Sequence, residues 1–156
     1  MFFEPYPPSE VADGVWVGGR PSPASQGALR AAGVTHVLNV STDPHSAQVR
    51  RDFRATWVPV VDDLEPKPAS WFRRGLSFAR RALKSPDAQI YVHCREGVHR
   101  GPLMTYVILR ALRGLSPTEA KRAITAKRPV AGFPQVYLES AEAFLQEESE
   151  REEPAT

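Results

Sequence analysis

The chain has 156 residues and a net charge of +2, with 42% hydrophobic and 24% charged residues. This length favours one domain with a substantial core, and this composition is that of a globular protein rather than a disordered, collagenous or coiled-coil one. No apolar run approaches the roughly 20 residues of a membrane-spanning helix, and the first residues lack the basic segment and apolar core of a secretion signal. We therefore expect a soluble, cytoplasmic domain.

Cysteine and histidine usage bears on redox state and metal binding. Cys94 is the single cysteine of the sequence, which excludes a disulfide within the chain and a cysteine-rich zinc site and fits a reducing compartment. The four histidines do not have the spacing of metal ligands. We therefore expect neither a metal site nor another cofactor.

Charge is unevenly distributed along the chain. Residues 139–153 hold seven glutamates and one arginine, whereas residues 1–138 carry 19 basic and 11 acidic residues. A basic body favours anionic partners such as phosphoesters, nucleic acids or lipid headgroups, although an arginine-rich solvated surface would give the same count. The sequence contains no specific nucleic-acid-binding motif.

The first part of the chain predicts mostly strands, separated by proline and glycine. Gly33 is expected to end a helix, because glycine tolerates the positive φ of a helix C-terminus. In chain order the pattern predicts an extended segment at 1–12, a turn at Asp13-Gly14, a strand at 15–18, a helix at 21–32, a strand at 34–40, a loop or short helix through Asp52, and a strand near 56–61.

The remainder predicts mostly helices: one at 68–84, a strand at 90–92, a buried helix from Pro102 to Gly114, a helix opened by the capping box Ser116–Glu119, and a helix at about 134–149. Alternating strands and helices predict an α/β domain at 13–148, with a largely parallel sheet of four or five strands and helices on both faces. A frayed acidic tail is expected at 149–156. A ligand should bind at the carboxyl ends of the strands.

Residues 93–102, with the sequence HCREGVHRGP, join the 90–92 strand to the buried helix. Such a junction gathers backbone N–H groups beside a helix N-terminus, where they bind a tetrahedral anion and stabilise a thiolate. Gly97 permits the sharp backbone path, and Arg100, six residues after Cys94, can hold two phosphate oxygens. A cysteine that merely packs as a small hydrophobe would need neither residue. The segment therefore predicts a nucleophile, an anion site and a charge clamp in one loop.

This loop resembles the C-x5-R signature of the cysteine-dependent phosphatases of the protein tyrosine phosphatase superfamily. It is most similar to the small dual-specificity branch. The segments VWVGGRPSP at 15–23, GVTHVLNV at 33–40, VPVVDD at 58–63 and KRP at 127–129 extend the resemblance, in order and spacing, over most of residues 14–145. The resemblance implies the phosphatase fold, with a phosphate-binding loop at a strand-to-helix junction.

The resemblance also implies roles for the loop residues. Cys94 would form a phosphocysteine, Arg100 would bind the phosphoryl oxygens, and His93 would orient the thiolate from behind the loop or simply pack at a strand end. Alternatives stay open for two of the positions, since Arg95 either attracts anionic substrate or is solvated, and His99 either affects substrate choice or faces solvent. The full set of residues expected to bind the phosphate is Arg95, Glu96, Gly97, Val98, His99 and Arg100.

The reaction needs a proton donor for the leaving group, and two neighbouring carboxyl groups compete for that role. In the family the acid follows an IPxxD-like strand and precedes an aromatic-bearing helix, a frame that residues 58–62 and Phe72 match. The resemblance therefore favours Asp62, with Asp63 as the alternative. Asn39 and Ser41 would support the loop by hydrogen bonding, or are ordinary turn formers at a strand end.

Gly101 departs from the family pattern. Relatives usually have serine or threonine directly after the loop arginine, and that hydroxyl stabilises the cysteine sulfur as it leaves in the hydrolytic step. With glycine at this position, we expect the second step of the reaction to be slow.

These features imply a phosphatase that acts on phosphotyrosine, phosphoserine or phosphothreonine in proteins and on aryl phosphates, with vanadate, phosphate and sulfate as inhibitors. Three alternatives remain. A phosphoinositide or RNA 5′-phosphatase would have the same fold, although lipid-directed relatives tend to carry loop lysines that this loop lacks. Gly101 leaves open a slow or inactive phosphate-binding module. A sulfurtransferase would also place a cysteine in an anion-binding loop, but that loop is typically one residue shorter.

Overall fold

The structure is a computed structural model that describes residues 7–152; the first half of the predicted N-terminal segment, residues 1–6, and the end of the acidic tail, 153–156, lie outside the described residues. The strands are β1 (Ser9–Ala12), β2 (Val15–Gly18), β3 (His36–Asn39), β4 (Arg54–Trp57) and β5 (Ile90–His93). The helices are α1 (Pro23–Ala31), α2 (Ala47–Asp52), α3 (Ala69–Ala82), α4 (Arg100–Arg113), α5 (Pro117–Lys127) and α6 (Gln135–Glu152).

The strands form one sheet in the order β1-β2-β5-β3-β4, in which β2, β5, β3 and β4 are parallel and β1 is antiparallel to β2. This confirms the expected largely parallel sheet. His93, the last residue of β5, is level with Gly18 of β2 and Asn39 of β3. The carboxyl ends of three strands therefore meet at one edge of the sheet, where the loop after β5 begins.

Helices cover both faces of the sheet, as predicted. Val37 and Tyr91 pack with α1 and α2 on one face, whereas Leu38 and Val92, one residue further along the same strands, pack with α3 to α6 on the other. All four residues of β5 are buried, because a central strand of a doubly covered sheet has no exposed side. The loop that follows β5 is consequently anchored to a fully buried strand.

The predicted helix ends agree with the structure at several points. Gly33 and Gly114 have φ angles of +101° and +66°, and Gly114 is the left-handed C-cap of α4. The Ser116–Glu119 capping box is present, with both reciprocal hydrogen bonds. These features depend on residues close in sequence, which is why the pattern located them.

Two element boundaries near the loop were predicted wrongly. β4 ends at Trp57 rather than near residue 61, because Val58 donates the last hydrogen bond to Asn39 (2.8 Å) and Pro59 has no N–H to continue the ladder. α4 begins at Arg100 rather than at Pro102. A proline is tolerated anywhere in the first helical turn, where N–H groups have no partner within the helix.

The two ends of the described chain also differ from the prediction. Ser9–Ala12, expected to be merely extended, pair with β2 as the antiparallel edge strand β1. Helix α6 continues to Glu152, beyond the expected end near 149. Within residues 7–152, no helix combines the length and the apolar character that crossing a membrane would require.

Candidate active site

The phosphate-binding loop, Cys94–His99, leads from the end of β5 into the first residue of α4. Gly97 makes the turn with a φ of +71°. A Cβ atom there would lie 2.5 Å from the carbonyl carbon of Gly18, so both the backbone conformation and the close approach of β2 require glycine.

The carbonyl groups of the loop are all bonded away from its concave side. From Cys94 to Val98, five consecutive carbonyl oxygens have partners outside the loop. In order, these partners are His93 Nδ1 (3.1 Å), Arg20 N (3.0 Å), Arg128 Nη2 (3.0 Å), Arg128 Nε (2.7 Å) and Gly132 N (2.8 Å). The N–H of Cys94 donates to the carbonyl of Gly18 at 3.4 Å. Because the carbonyls face outward, the N–H groups that follow Cys94 are turned towards the concave side and form a nest for an anion.

Cys94 lies at the base of this nest. Its side chain is buried, and the N–H of Gly97 donates to its Sγ atom at 3.2 Å. The N-terminus of α4 begins a few residues further on and adds the positive end of a helix dipole. The Gly97 N–H and the α4 N-terminus thus place a hydrogen-bond donor and a partial positive charge beside the sulfur.

His93 supports Cys94 through the backbone and not through charge. Burial lowers the pKa of His93 to about 4, although the hydrogen bond with the Cys94 carbonyl acts in the opposite direction. The imidazole is therefore neutral at pH 7, and its ring stacks 5.6 Å from that of Tyr91. It fixes the backbone of Cys94 at the point where the strand becomes the loop.

Arg100 occupies the first turn of α4 and is 8% exposed. Its Nη1 donates to the carbonyl of Val60 at 2.9 Å, whereas its buried Nε has no hydrogen-bond partner among the described residues. A buried donor left unpaired costs free energy, so in a native protein it calls for a partner such as a bound anion. The guanidinium is held in place by one nitrogen and is free to bind an anion with another.

Asp62 shares a pocket with Cys94 and Arg100. The Tyr137 hydroxyl donates to its Oδ1 at 2.7 Å, and its Oδ2 lies 3.2 Å from Nδ1 of His99. Burial acts to raise the pKa of Asp62, but the hydrogen bonds from Tyr137 and His99 prevail and hold it below its usual value. His99, whose side chain is 33% exposed, thus contacts Asp62, and its role in substrate choice stays a prediction.

Asp63 has a different environment. Its Oδ1 accepts from Lys67 Nζ at 2.6 Å and from the backbone of Glu65 at 3.0 Å, and the bond from Lys67 lowers its pKa. It is not among the residues that line the pocket. The geometry therefore supports Asp62 over Asp63 as the proton donor.

Asn39 and Ser41 do not bond to the phosphate-binding loop through their side chains. Ser41 Oγ donates to Asn39 Oδ1 at 2.7 Å, and Asn39 Nδ2 donates to the carbonyl of Asp43 at 2.7 Å. Both are turn formers after β3, the alternative role. The link to the site is a backbone one, from Val40 N to the carbonyl of His93 at 2.8 Å.

The phosphate-binding roles of Arg95, Glu96 and Val98 stay predictions, and the structure gives their exposure. Arg95 and Glu96 are exposed at the mouth of the loop, and Val98 is half-buried. Gly101 lies against Cys94, since a Cβ atom there would stand 3.4 Å from Sγ. Across residues 7–152, no three histidine, cysteine or carboxylate side chains are grouped as metal ligands would be.

Sequence reasoning missed the roles of Arg128, Tyr137 and Lys67. Arg128 was singled out only as part of KRP, yet it is 2% exposed and binds two loop carbonyls. Its partners lie some 30 residues away and are backbone atoms, which no local pattern reveals. Tyr137 contacts Asp62 across 75 residues, and only the fold brings them together.

The fold and the site define a class of protein: an α/β domain with a buried cysteine in an anion-binding loop, between a central parallel strand and a buried helix. The sequence model of the family described as dual specificity phosphatase, catalytic domain, matches residues 15–145. The chain belongs to this family.

Individual relatives agree with the assignment. Dual specificity protein phosphatase 12 of Mus musculus is 29% identical over 124 residues, covering 78% of this chain and 36% of that protein, so the chain spans about a third of its length. The crystal structure of human DUSP28 superposes with a TM-score of 0.82 at 23% identity, covering 93% of this chain and 97% of that one. PTPMT1 in complex with PI(5)P gives 0.79 at 20% identity, covering 91% and 96%. At these identities, the two structures show a shared fold.

Proposed function

We propose that this chain is a cysteine-dependent phosphatase that hydrolyses phosphomonoesters through a phosphocysteine at Cys94. The observation that supports this most strongly is the convergence of three groups on one pocket. These are the Cys94 sulfur, the N–H groups of a loop whose carbonyls are bonded outward, and the guanidinium of Arg100, whose Nε has no partner among the described residues. The loop N–H groups and the guanidinium can bind negatively charged oxygens, and a phosphoryl group provides them.

In the first step, the Cys94 thiolate attacks phosphorus and the bond from phosphorus to the leaving oxygen breaks. Asp62, protonated, gives its proton to that oxygen. A bound phosphate brings negative charge beside Asp62 and therefore favours its protonated form. The loop N–H groups and Arg100 stabilise the charge on the three phosphoryl oxygens, so the site does not need a metal ion for this purpose.

In the second step, a water molecule attacks the phosphorus of the phosphocysteine. Asp62, now a carboxylate, takes a proton from the water, the bond from sulfur to phosphorus breaks, and the thiolate is restored as phosphate leaves. One carboxyl group thus serves as acid and then as base.

The proposed substrates are phosphotyrosine, phosphoserine and phosphothreonine in proteins, together with aryl phosphates. Vanadate, phosphate and sulfate should inhibit, because each presents a similar set of oxygens to the same loop. The mechanism requires a reduced thiol, which supports a reducing compartment such as the cytoplasm as the place of action.

The test is hydrolysis of an aryl phosphate in the presence of EDTA. The wild-type protein should turn over, Cys94→Ser should be inactive while still binding vanadate, and Arg100→Lys should lose both binding and rate. Arg122→Lys, on the exposed side of α5, is the matched control and should behave as wild type. Activity that survives in Cys94→Ser, or that EDTA abolishes, would contradict the proposal. The same assay with phosphopeptides, a phosphoinositide and a 5′-phosphorylated RNA then ranks the substrate classes.

A further inference from the structure

Two side chains from outside hold the loop that carries Asp62. Each residue of this acid loop, residues 61–64, makes one hydrogen bond to Lys67 or to Tyr137, in alternation along the chain. These four hydrogen bonds are the tethers of the acid loop. Lys67 Nζ donates to the carbonyl of Val61 (2.7 Å) and to Oδ1 of Asp63 (2.6 Å), and the Tyr137 hydroxyl donates to Oδ1 of Asp62 (2.7 Å) and accepts from N of Leu64 (2.9 Å).

Packing does not explain the order of this loop. Val61 and Leu64 are 57% and 58% exposed, and Leu64 has a φ of +61°, which is uncommon for a residue with a side chain. Apolar side chains that face solvent provide little stabilisation. The polar tethers, together with the contact between His99 and Asp62, therefore hold the acid loop in this conformation.

The two tethering groups are themselves firmly placed. Tyr137 is fully buried and Lys67 is 6% exposed, and Lys67 Nζ lies 5.2 Å from the centroid of the Tyr137 ring. A buried ammonium needs compensating partners, which the acid loop and the tyrosine ring supply. Because Tyr137 belongs to α6, the acid loop is connected to the helical layer of the fold.

The tethers also give the two carboxylates opposite environments. Lys67 holds Asp63 outside the pocket, whereas Tyr137 binds one oxygen of Asp62 and leaves the other beside His99. We propose that Lys67 and Tyr137 are positioning residues that hold the acid loop in its working conformation before substrate binds and thereby make Asp62, rather than Asp63, the proton donor. This inference rests on the proposed function.

The charges around Asp62 set the expected pH effect. His99 and Arg100 face Asp62 from the phosphate-binding loop and α4, Tyr137 faces it from α6, and Lys67 and Asp63 flank it on its own segment. The hydrogen bond from Tyr137 stabilises the carboxylate, so its removal raises the pKa of Asp62. Because the first step needs the protonated acid, the pH at which activity falls as Asp62 ionises should move upward.

The test compares Tyr137→Phe with Tyr106→Phe in the full chain. Tyr106 is a matched control, since it is also buried and its hydroxyl donates to a carboxylate, Glu142, at 2.6 Å, away from the pocket. Tyr137→Phe should lower kcat for an alkyl phosphate by about tenfold or more and leave kcat for a good aryl leaving group and KM nearly unchanged. It should also move upward the pH at which activity falls. Tyr106→Phe should change neither kcat for the alkyl phosphate nor this pH.

A double variant and hydrogen exchange separate this inference from the proposed function. In an Asp62→Asn background, Tyr137→Phe should have no further effect on kcat, because both act through one carboxyl group. Amide exchange of the peptide spanning residues 60–66 should be slow in the free wild-type protein and faster in Tyr137→Phe and Lys67→Met. If Asp62→Asn shows the leaving-group effect but Tyr137→Phe alters neither exchange nor the pH profile, the positioning role is wrong. If Asp62→Asn itself has no effect, the assignment of the acid in the proposed function fails instead.

Discussion

Gly101 and the sulfur of Cys94 are close enough for a side chain at position 101 to affect catalysis. A Cβ atom on Gly101 would lie 3.4 Å from Sγ, from the backbone N of Cys94 and from Cγ2 of Val17, so a small side chain would fit with at most slight adjustment. In the wild-type chain, the N–H of Gly97 donates to the sulfur at 3.2 Å. The side chains of Asn39 and Ser41 are engaged in the turn after β3 and do not donate to the sulfur.

Gly101→Ser should accelerate hydrolysis of the phosphocysteine, because the new hydroxyl can donate to the departing thiolate. A hydrogen bond to a charged group contributes about 1.5–3 kcal/mol, which corresponds to about 10–150-fold in that step. Rapid mixing with an aryl phosphate should show a burst of phenol near one equivalent in the wild type and a smaller burst in Gly101→Ser. Gly101→Ala, which adds the carbon without the hydroxyl, is the control. A wild type without a burst, together with no gain in the serine variant, would show that the Gly97 N–H already suffices.

The choice between the two neighbouring carboxylates can be tested by replacing each of them with asparagine. Asp62→Asn should slow hydrolysis of alkyl phosphates by about 10²–10⁴-fold, as expected for loss of a general acid, and should affect good aryl leaving groups far less. Asp63→Asn should have a small effect, because Asp63 is bonded to Lys67 outside the pocket. Steady-state rates across a series of leaving groups measure both losses. A larger loss in Asp63→Asn than in Asp62→Asn would assign the acid to Asp63.

At the scale of the element, the phosphate-binding loop depends on Arg128 at the end of α5. Two nitrogens of its buried guanidinium donate to the carbonyls of Glu96 and Gly97, and Nη1 also donates to the carbonyl of Pro7 at 2.9 Å. The planar fork of arginine allows these bonds to form together, which an ammonium group cannot reproduce. α5 and the start of the described chain thus shape the anion nest from behind.

Arg128→Lys should therefore weaken oxyanion binding without removing any group that touches the anion. We expect a vanadate inhibition constant raised by about tenfold or more, since at least one charge-assisted hydrogen bond to the loop is lost. Arg122→Lys, an exposed arginine of the same helix, controls for the substitution itself. Equal vanadate affinity in Arg128→Lys and the wild type would show that the loop keeps its conformation without this support.

The elements show why some of the site could be predicted from the sequence and some could not. The strand, cysteine, glycine and arginine of the loop are neighbours in sequence, so their spacing carried the prediction of an anion site after β5. The end of β4 was misplaced because valines 58, 60 and 61 have strand propensity, whereas Pro59 cannot donate to a ladder. Tyr137 escaped notice because its partner Asp62 lies 75 residues away. Lys67 escaped notice because its bonds to Val61 and Asp63 form within an irregular loop that has no repeating pattern.

At the scale of the whole molecule, the buried histidine behind the loop makes stability depend on pH. The pKa of His93 is about 4 in the folded chain, against about 6.5 in an unfolded one. Between these values the unfolded chain binds a proton that the folded chain does not, so stability falls as the pH drops from about 6.5 to about 4, by roughly 3 kcal/mol in total. Burial also lowers the pKa values of His36 and His45, which adds to the same trend.

His93→Asn should reduce this sensitivity to acid. The asparagine amide can still donate to the Cys94 carbonyl, as His93 Nδ1 does at 3.1 Å, but it does not take up a proton on unfolding. Urea unfolding at pH 7 and pH 5 should show a smaller loss of stability in the variant than in the wild type. Identical losses in both proteins would mean that His93 does not have the low pKa on which this expectation depends.

The most direct measurement for the whole molecule is to capture the phosphocysteine. The wild-type protein is mixed with an aryl phosphate, quenched in acid during turnover, digested and examined by mass spectrometry. Because Cys94 is the only cysteine in the chain, a covalent phosphoryl group on the peptide that contains it identifies the nucleophile. We expect this adduct in the wild type, in greater amount than in Gly101→Ser, and none in Cys94→Ser. Sustained hydrolysis in EDTA with no adduct at Cys94, or with the phosphoryl group on another residue, would contradict covalent catalysis by this loop.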